Sequence, residues 1–319
     1  MGALIAAFAD GFFKPSAARA LRNELMKPPI KLISTDFDGT LHNDFEAPPV
    51  PLELESLIGA LQERGVAWVI NTGRDLTSLM ETLTKASLKI RPDYVVVVER
   101  EIYELKESDY VSVRDWNDRC TQVHSELFEK VRPHLPRIHG WINSRYKAQV
   151  YEDPYSPFCL IAEKVRDAEE IHDYLEISCK DFGDLVVVRN DIYARFSHKA
   201  FNKGTALAEI ARRLGIKPDE IVAAGDHLND LPMLSNEFAR WLVAPVNAID
   251  KVKETVLRQQ GYVSEKQCGH GVAHGIAHVL KSFGYAMENL AERITAHSEH
   301  NQASVLSPRT ATKADKRAS

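Results

Sequence analysis

A short apolar run, a polar loop and a segment of helical period follow one another repeatedly along this chain, and that alternation restricts the fold most. Ile30 to Ser34 reads as a buried strand running into Thr35-Asp36-Phe37-Asp38-Gly39-Thr40. Leu54, Leu57, Ile58 and Leu61 then recur at helical spacing within residues 52–63, and Gly65 stands where a glycine ends a helix. Val66 to Ile70 is a second apolar run, closed by Asn71-Thr72-Gly73-Arg74. Residues 76–88 read as helix, and Tyr94 to Val98 as a third strand rich in β-branched residues. The pattern resumes with a helix over 203–214 stopped by Gly215, a strand over 220–224 ending in Gly225-Asp226, and another over 241–244. Strands alternating with helices predict an α/β fold, a doubly wound, Rossmann-like parallel sheet covered on both faces. In such sheets ligands bind beyond the carboxyl ends of the strands. Asp36 and Asp38, Thr72, and Asp226 and Asp230 all fall just after a strand.

The middle of the chain breaks the pattern. Residues 103–194 are more polar and aromatic, with helical stretches over 117–131 and 167–175 and candidate strands over 148–151, 159–162 and 185–189. They read as an α+β insertion between two core segments, residues 29–102 and 195–288. Residues 1–28 form an amphipathic N-terminal extension closed by Pro28-Pro29, and residues 289–319 a tail expected to be largely disordered. The apolar run from Ala3 to Ala9 is too short to span a bilayer and has no Lys or Arg before it, so neither a membrane anchor nor a signal peptide is expected. A net charge of −5 argues against broad binding to nucleic acid or an anionic membrane, while leaving room for a small anion at a local cationic site. Cys120, Cys159, Cys179 and Cys268 are widely spaced and form no C-x-x-C pair, which favours free thiols and a reducing, cytoplasmic setting.

The chemistry is carried by four clusters. Asp36 and Asp38, two residues apart at the end of a buried strand, repel each other, and a hard divalent cation relieves that repulsion. Magnesium is the usual choice where phosphate is also bound. The D-x-D-G-T string arises by chance on the order of a few times per thousand chains of this length. Thr72 and Gly73 are either an oxyanion cradle of hydroxyl and backbone N–H groups or an ordinary helix cap. Lys203 opens a helix, where the dipole disfavours a cation unless an anion is near; otherwise it is a surface lysine. Asp226, Asn229 and Asp230 either complete an oxygen-rich metal site or form a solvated loop.

Taken together, in this order and at these separations, the clusters resemble the four motifs of the haloacid dehalogenase (HAD) superfamily. Residues 225–233 follow the G-D-x-x-N-D-x-x-M form of its Cof-like branch, and the insertion falls where that branch carries a C2-type cap. The resemblance spans roughly Lys31 to Leu280 and implies a Mg²⁺-dependent phosphatase of small phosphate monoesters. It implies Asp36 as nucleophile, Asp38 as acid and base, and Thr72, Gly73 and Lys203 as phosphate ligands. It implies metal ligands in Asp36, the Asp38 backbone carbonyl, Asp226 and Asp230, with Asn229 in support. Sugar phosphomutases of the same superfamily and a non-catalytic phosphate-binding protein are the alternatives; a dehalogenase lacks the acid at position 38.

Two departures stand out. Many Cof-like chains carry an Asn-Gly step after the third core strand, where this one reads Glu99-Arg100-Glu101, and they begin close to the first motif. Glu99 and Glu101 near the site would disfavour a second anion on the substrate, which points to a hydroxyl-rich or cationic leaving group, such as that of a sugar or polyol phosphate. Arg100, Arg145, Lys147 and Arg195 are candidates for contacting the leaving group. His42 and His227 neighbour the acidic motifs, and His270, His274 and His278 recur every four residues as a possible metal face.

Overall fold

The structure, a computed structural model, describes residues 27–285. The N-terminal extension, apart from its last two residues, and the C-terminal tail lie outside the described residues.

Among these, eight strands form one sheet in the order β12-β11-β10-β1-β2-β3-β4-β5. The strands are β1 (Leu32–Thr35), β2 (Ala67–Asn71), β3 (Tyr94–Val97), β4 (Glu101–Lys106), β5 (Asp109–Ser112), β10 (Ile221–Ala224), β11 (Trp241–Ala244) and β12 (Tyr262–Val263). From β12 to β3 every pairing is parallel, and β4 and β5 add an antiparallel hairpin at the edge. β1, β3 and β10 are buried along their whole length, which explains why they read as unbroken apolar runs rather than alternating ones.

Helices cover both faces. Helices α1 (Leu52–Gln62), α2 (Leu76–Ala86) and α8 (Cys268–Ser282) pack with Ile33, Trp68, Ile70 and Val95 on one side. On the other side α6 (Lys203–Leu214) and α7 (Asp250–Arg258) pack with Leu32, Val69, Val96 and Leu242. Local chemistry sets the helix ends. Asn202 and Thr205 exchange hydrogen bonds in a capping box at the start of α6, and Gly215 closes it with a left-handed φ of 66°.

The inserted segment carries its own antiparallel sheet, β6-β7-β9-β8, built from β6 (Ala148–Asp153), β7 (Ser156–Ala162), β8 (Leu185–Asn190) and β9 (Tyr193–His198). Helices α3 (Arg114–Val131), α4 (Leu135–Asn143) and α5 (Val165–Ser178) cover one face around Phe128, Ile138, Phe158, Ile171 and Phe196. The sheets divide the chain a few residues away from the 102/103 and 194/195 boundaries expected from the sequence. Residues 103–112 pair within the large sheet through the β4–β5 hairpin, and residues 195–198 belong to the small one through β9. The hairpin escaped detection because its turn, Glu107-Ser108, lacks the Asn-Gly or Asp-Gly step that marks such turns; Glu107 adopts a φ of 55° without it.

Candidate active site

The carboxyl ends of β1, β2 and β10 bring three of the sequence clusters together, and α6 delivers the fourth. Ligand oxygens of Asp36, Asp226 and Asp230 lie within 4.8 Å of one another. Asp36 follows β1, and its N–H donates to the carbonyl of Ala224 at the end of β10, 2.9 Å away. Asp226 follows β10 and is steadied by Thr40, whose hydroxyl donates to Oδ1 at 2.7 Å. Asp230 Oδ2 accepts from the backbone N–H groups of Asp226 and His227 at 2.8 and 2.9 Å.

Lys203 settles one open alternative: it is wholly buried, and its ammonium donates to Asp36 Oδ1 at 2.6 Å and Asp230 Oδ1 at 2.7 Å. Burial alone would lower the lysine's pKa, but the carboxylates of Asp230, Asp36 and Glu99 outweigh it and hold it above its ordinary value. One lysine does not balance three acids. Burial, followed by the neighbouring Asp230, raises Asp36 well above the usual carboxylate range, and the same two causes push Asp226 up to about 7. An oxygen-only donor set with unbalanced negative charge fits a hard cation, so the residues present suit a metal ion.

The Asp38 carboxylate lies outside this cluster. It points to Arg74, which donates Nε to Oδ2 and Nη2 to Oδ1, each at 2.7 Å. Nothing in the sequence around Arg74 gives it a role, and the bidentate geometry reveals one. Thr72 is buried, and its hydroxyl accepts from the Arg74 N–H at 3.2 Å. It is not the cap of α2; Asp75 is, accepting from the Ser78 N–H at 2.9 Å. Asn71 donates to the Lys203 carbonyl at 2.9 Å and ties the end of β2 to the start of α6.

Glu99 also reaches the site. Its carboxyl accepts from Asn229 Nδ2 at 2.9 Å and stands over Gly73, where an added Cβ would come within 3.0 Å of Oε1. Arg100 is buried between the two sheets, its Nη2 donating to the Tyr155 carbonyl at 2.6 Å and Nη1 to the Ser197 hydroxyl at 3.3 Å. Those bonds engage it as a tie between the sheets. Arg195, on β9, lies 3.6 Å from Asp153. Arg145 stacks on Trp141 at the exposed side of α4, so its contacts are local. Lys147 precedes β6, and its carbonyl accepts from the Glu163 N–H at 3.1 Å.

His42 stacks on Phe37 with ring centres 4.9 Å apart, and burial lowers its pKa. His227 is also lowered by burial, and its Nδ1 has no partner. The three histidines of α8 engage neighbouring side chains, His274 and His278 both meeting Tyr262. His270 pairs with Glu53 at 2.8 Å, His274 lies 3.1 Å from the Ser264 hydroxyl, and His278 stacks on Tyr262. Among the described residues they do not gather as a metal site. All four cysteines are free and buried, and no described helix is long and apolar enough to cross a membrane.

The sequence profile of the sucrose-6F-phosphate phosphohydrolase family matches residues 29–279. The chain belongs to this family of HAD-like phosphatases. Similar proteins carry phosphatase names. The 5-amino-6-(5-phospho-D-ribitylamino)uracil phosphatase YcsE of Bacillus subtilis is 29% identical over 265 residues, covering 78% of this chain and 95% of its own. The phosphoglycolate phosphatase of Methanopyrus kandleri is 28% identical over 255 residues, covering 78% and 97%. The sucrose-phosphatase of Synechocystis, solved with sucrose and phosphate, shares the fold with a TM-score of 0.56 at 18% identity, covering 77% of this chain and 96% of its own. This HAD-like phosphatase is therefore an enzyme, a phosphoric monoester hydrolase.

Proposed function

We propose that this enzyme hydrolyses sugar or polyol phosphates with Mg²⁺, through an aspartyl-phosphate on Asp36. The observation that carries the proposal is the close group of Asp36, Asp226 and Asp230, two of which, Asp36 and Asp230, bond the buried Lys203 ammonium. Asp36, Asp226 and Asp230, with the Asp38 backbone carbonyl, would hold the ion. A bound magnesium ion would screen the negative charges of nucleophile and phosphate, which otherwise repel.

The protein's own residues account for the rest. A carboxylate oxygen of Asp36 forms the new bond to phosphorus while the ester P–O bond breaks, dividing one hard step into two. Lys203 Nζ, Thr72 Oγ1 and the Gly73 N–H supply donors for the transferring oxygens. Asp38 gives a proton to the leaving alkoxide and then takes one from the water that hydrolyses the acyl phosphate. For that, one of the two Arg74 contacts to Asp38 must open, so Arg74 sets the direction of the acid and limits when it is free. The names of the family and of YcsE favour a hydroxyl-rich leaving group, and the name of the Methanopyrus relative a carboxylate. The acidic step at Glu99 favours the former.

The test is phosphate release from a panel of phosphorylated metabolites, with wild type and Asp36→Asn, in Mg²⁺ and in chelator. Release is expected to need both the ion and Asp36, falling by at least about 10³-fold without either. Wild-type turnover by Asp36→Asn would remove Asp36 as the nucleophile.

A further inference from the structure

The backbone after β3 is bent in a way that costs energy. Val98 and Glu99 follow one another with φ of 44° and 68°, although neither is glycine and Val98 is β-branched. The bend folds the chain onto the loop after β2, the Val98 N–H donating to the Arg74 carbonyl at 2.8 Å and the Glu99 N–H to the Thr72 carbonyl at 2.9 Å. Its product is a buried carboxyl held against Gly73, one of the phosphate ligands proposed above.

An unsatisfied group lies against that carboxyl. Asn229 gives its Nδ2 to Glu99, while its Oδ1 is buried without a partner. Burial raises the Glu99 carboxyl above its ordinary range, and the charges of Lys203 and, from the small sheet, Arg195 oppose that rise; Arg195 reaches Asp153 with Nη2 at 3.6 Å, while its Nη1 is buried without a partner. His227 Nδ1, beside Asn229 in sequence, and Arg189 Nε on β8 share this condition and stand in each other's electrostatic field. Buried polar atoms without partners are rare and call for an explanation. Here they come from the loop after β10 and from the small sheet, and combine donors with acceptors. A hydroxyl both donates and accepts, so neighbouring hydroxyls on a sugar or polyol chain satisfy such a set. A carboxylate only accepts, and next to the phosphorylated carbon it would face the Glu99 carboxyl.

We infer that Glu99, Asn229 and Arg195 form the subsite that reads hydroxyls near the phosphorylated carbon, and that Glu99 discriminates against leaving groups carrying a carboxylate there. This rests on the phosphatase reading above and adds the determinant of its selectivity. Glu99→Gln keeps an acceptor for Asn229 and removes the acidic group.

The experiment compares kcat/KM for ribitol 5-phosphate and other sugar or polyol phosphates with that for phosphoglycolate and 3-phosphoglycerate. In wild type the hydroxyl-rich substrates are expected to lead. In Glu99→Gln the ratio of the best hydroxyl-rich to the best carboxylate substrate should fall at least about tenfold, the scale set by one hydrogen-bonded or charged contact. A role confined to positioning Asn229 would lower both classes together and leave the ratio unchanged, and that result overturns the inference. So does a wild type that prefers carboxylates. Activity on no substrate in wild type instead defeats the phosphatase reading beneath it. As a second probe, Arg195→Gln is expected to raise KM for ribitol 5-phosphate about tenfold with a smaller change for phosphoglycolate; equal changes count against the subsite.

Discussion

Lys203 shows how much rests on a single side chain. Its ammonium is buried between Asp36 and Asp230 at hydrogen-bond distance from both. Replacing it by methionine leaves two buried carboxylates without their cation, a kind of loss that costs about 3–5 kcal/mol. Lys203→Met should therefore unfold at clearly lower denaturant than wild type in chelator, recover part of the difference when Mg²⁺ is added, and lose at least about 100-fold in kcat. Denaturation curves with and without the ion, beside initial rates, check all three. Identity at this scale was legible: the D-x-D-G-T string, Thr72, Lys203 and the G-D-x-x-N-D string were visible as residues. Partnership was not. Nothing in the spacing told whether Thr72 capped a helix, and it took coordinates to give that cap to Asp75 and to place Arg74 on Asp38.

At the scale of elements, α8 was read through its histidines, whereas its glycines decide where it lies. A Cβ on Gly275 would run into the Val243 side chain on β11, and one on Gly271 into the Lys266 carbonyl and Pro245. The helix is seated so closely on the sheet that only hydrogen fits at these positions. His270, His274 and His278 then pair with residues beside the helix. Gly275→Val is expected to destabilise the protein by about 1–3 kcal/mol through overpacking. Thermal melts should show the loss, and kcat of the folded fraction should stay within about twofold of wild type. Long apolar runs such as β1, β3 and β10 were legible because burial on both faces leaves little choice of residue. β4 and β5 were not, since an edge hairpin is half polar and its turn carries no glycine.

For the whole molecule the informative place is where the two sheets meet. Arg100 bonds Ser197 and the Tyr155 carbonyl, and His124 on α3 completes the network. The His124 Nδ1 lies 2.7 Å from the Cys120 carbonyl, and its Nε2 accepts from the Ser197 hydroxyl and the His198 N–H at 3.2 and 3.0 Å. Burial, then the nearby Arg100 charge, lowers the His124 pKa to about 3, so the fold holds this ring neutral. An unfolded histidine takes a proton near pH 6.5. The unfolded state thus binds more protons between about pH 6.5 and 3, and this group's contribution to stability falls as pH is lowered through that window. The stability difference between wild type and His124→Gln, followed by urea denaturation, should be largest above about pH 6.5 and shrink on acidification. A constant difference would count against a buried neutral imidazole. The sequence by itself determined the alternation of strand and helix, the parallel sheet and the acids at its strand ends, because helical period and full burial are properties of consecutive residues. Only the tertiary structure decided that Arg100 ties the sheets together, that Glu99 stands over Gly73, and that the small sheet takes in residues 195–198. Those outcomes depend on which distant atoms meet across the fold, and distance in space is not written in the order of the chain.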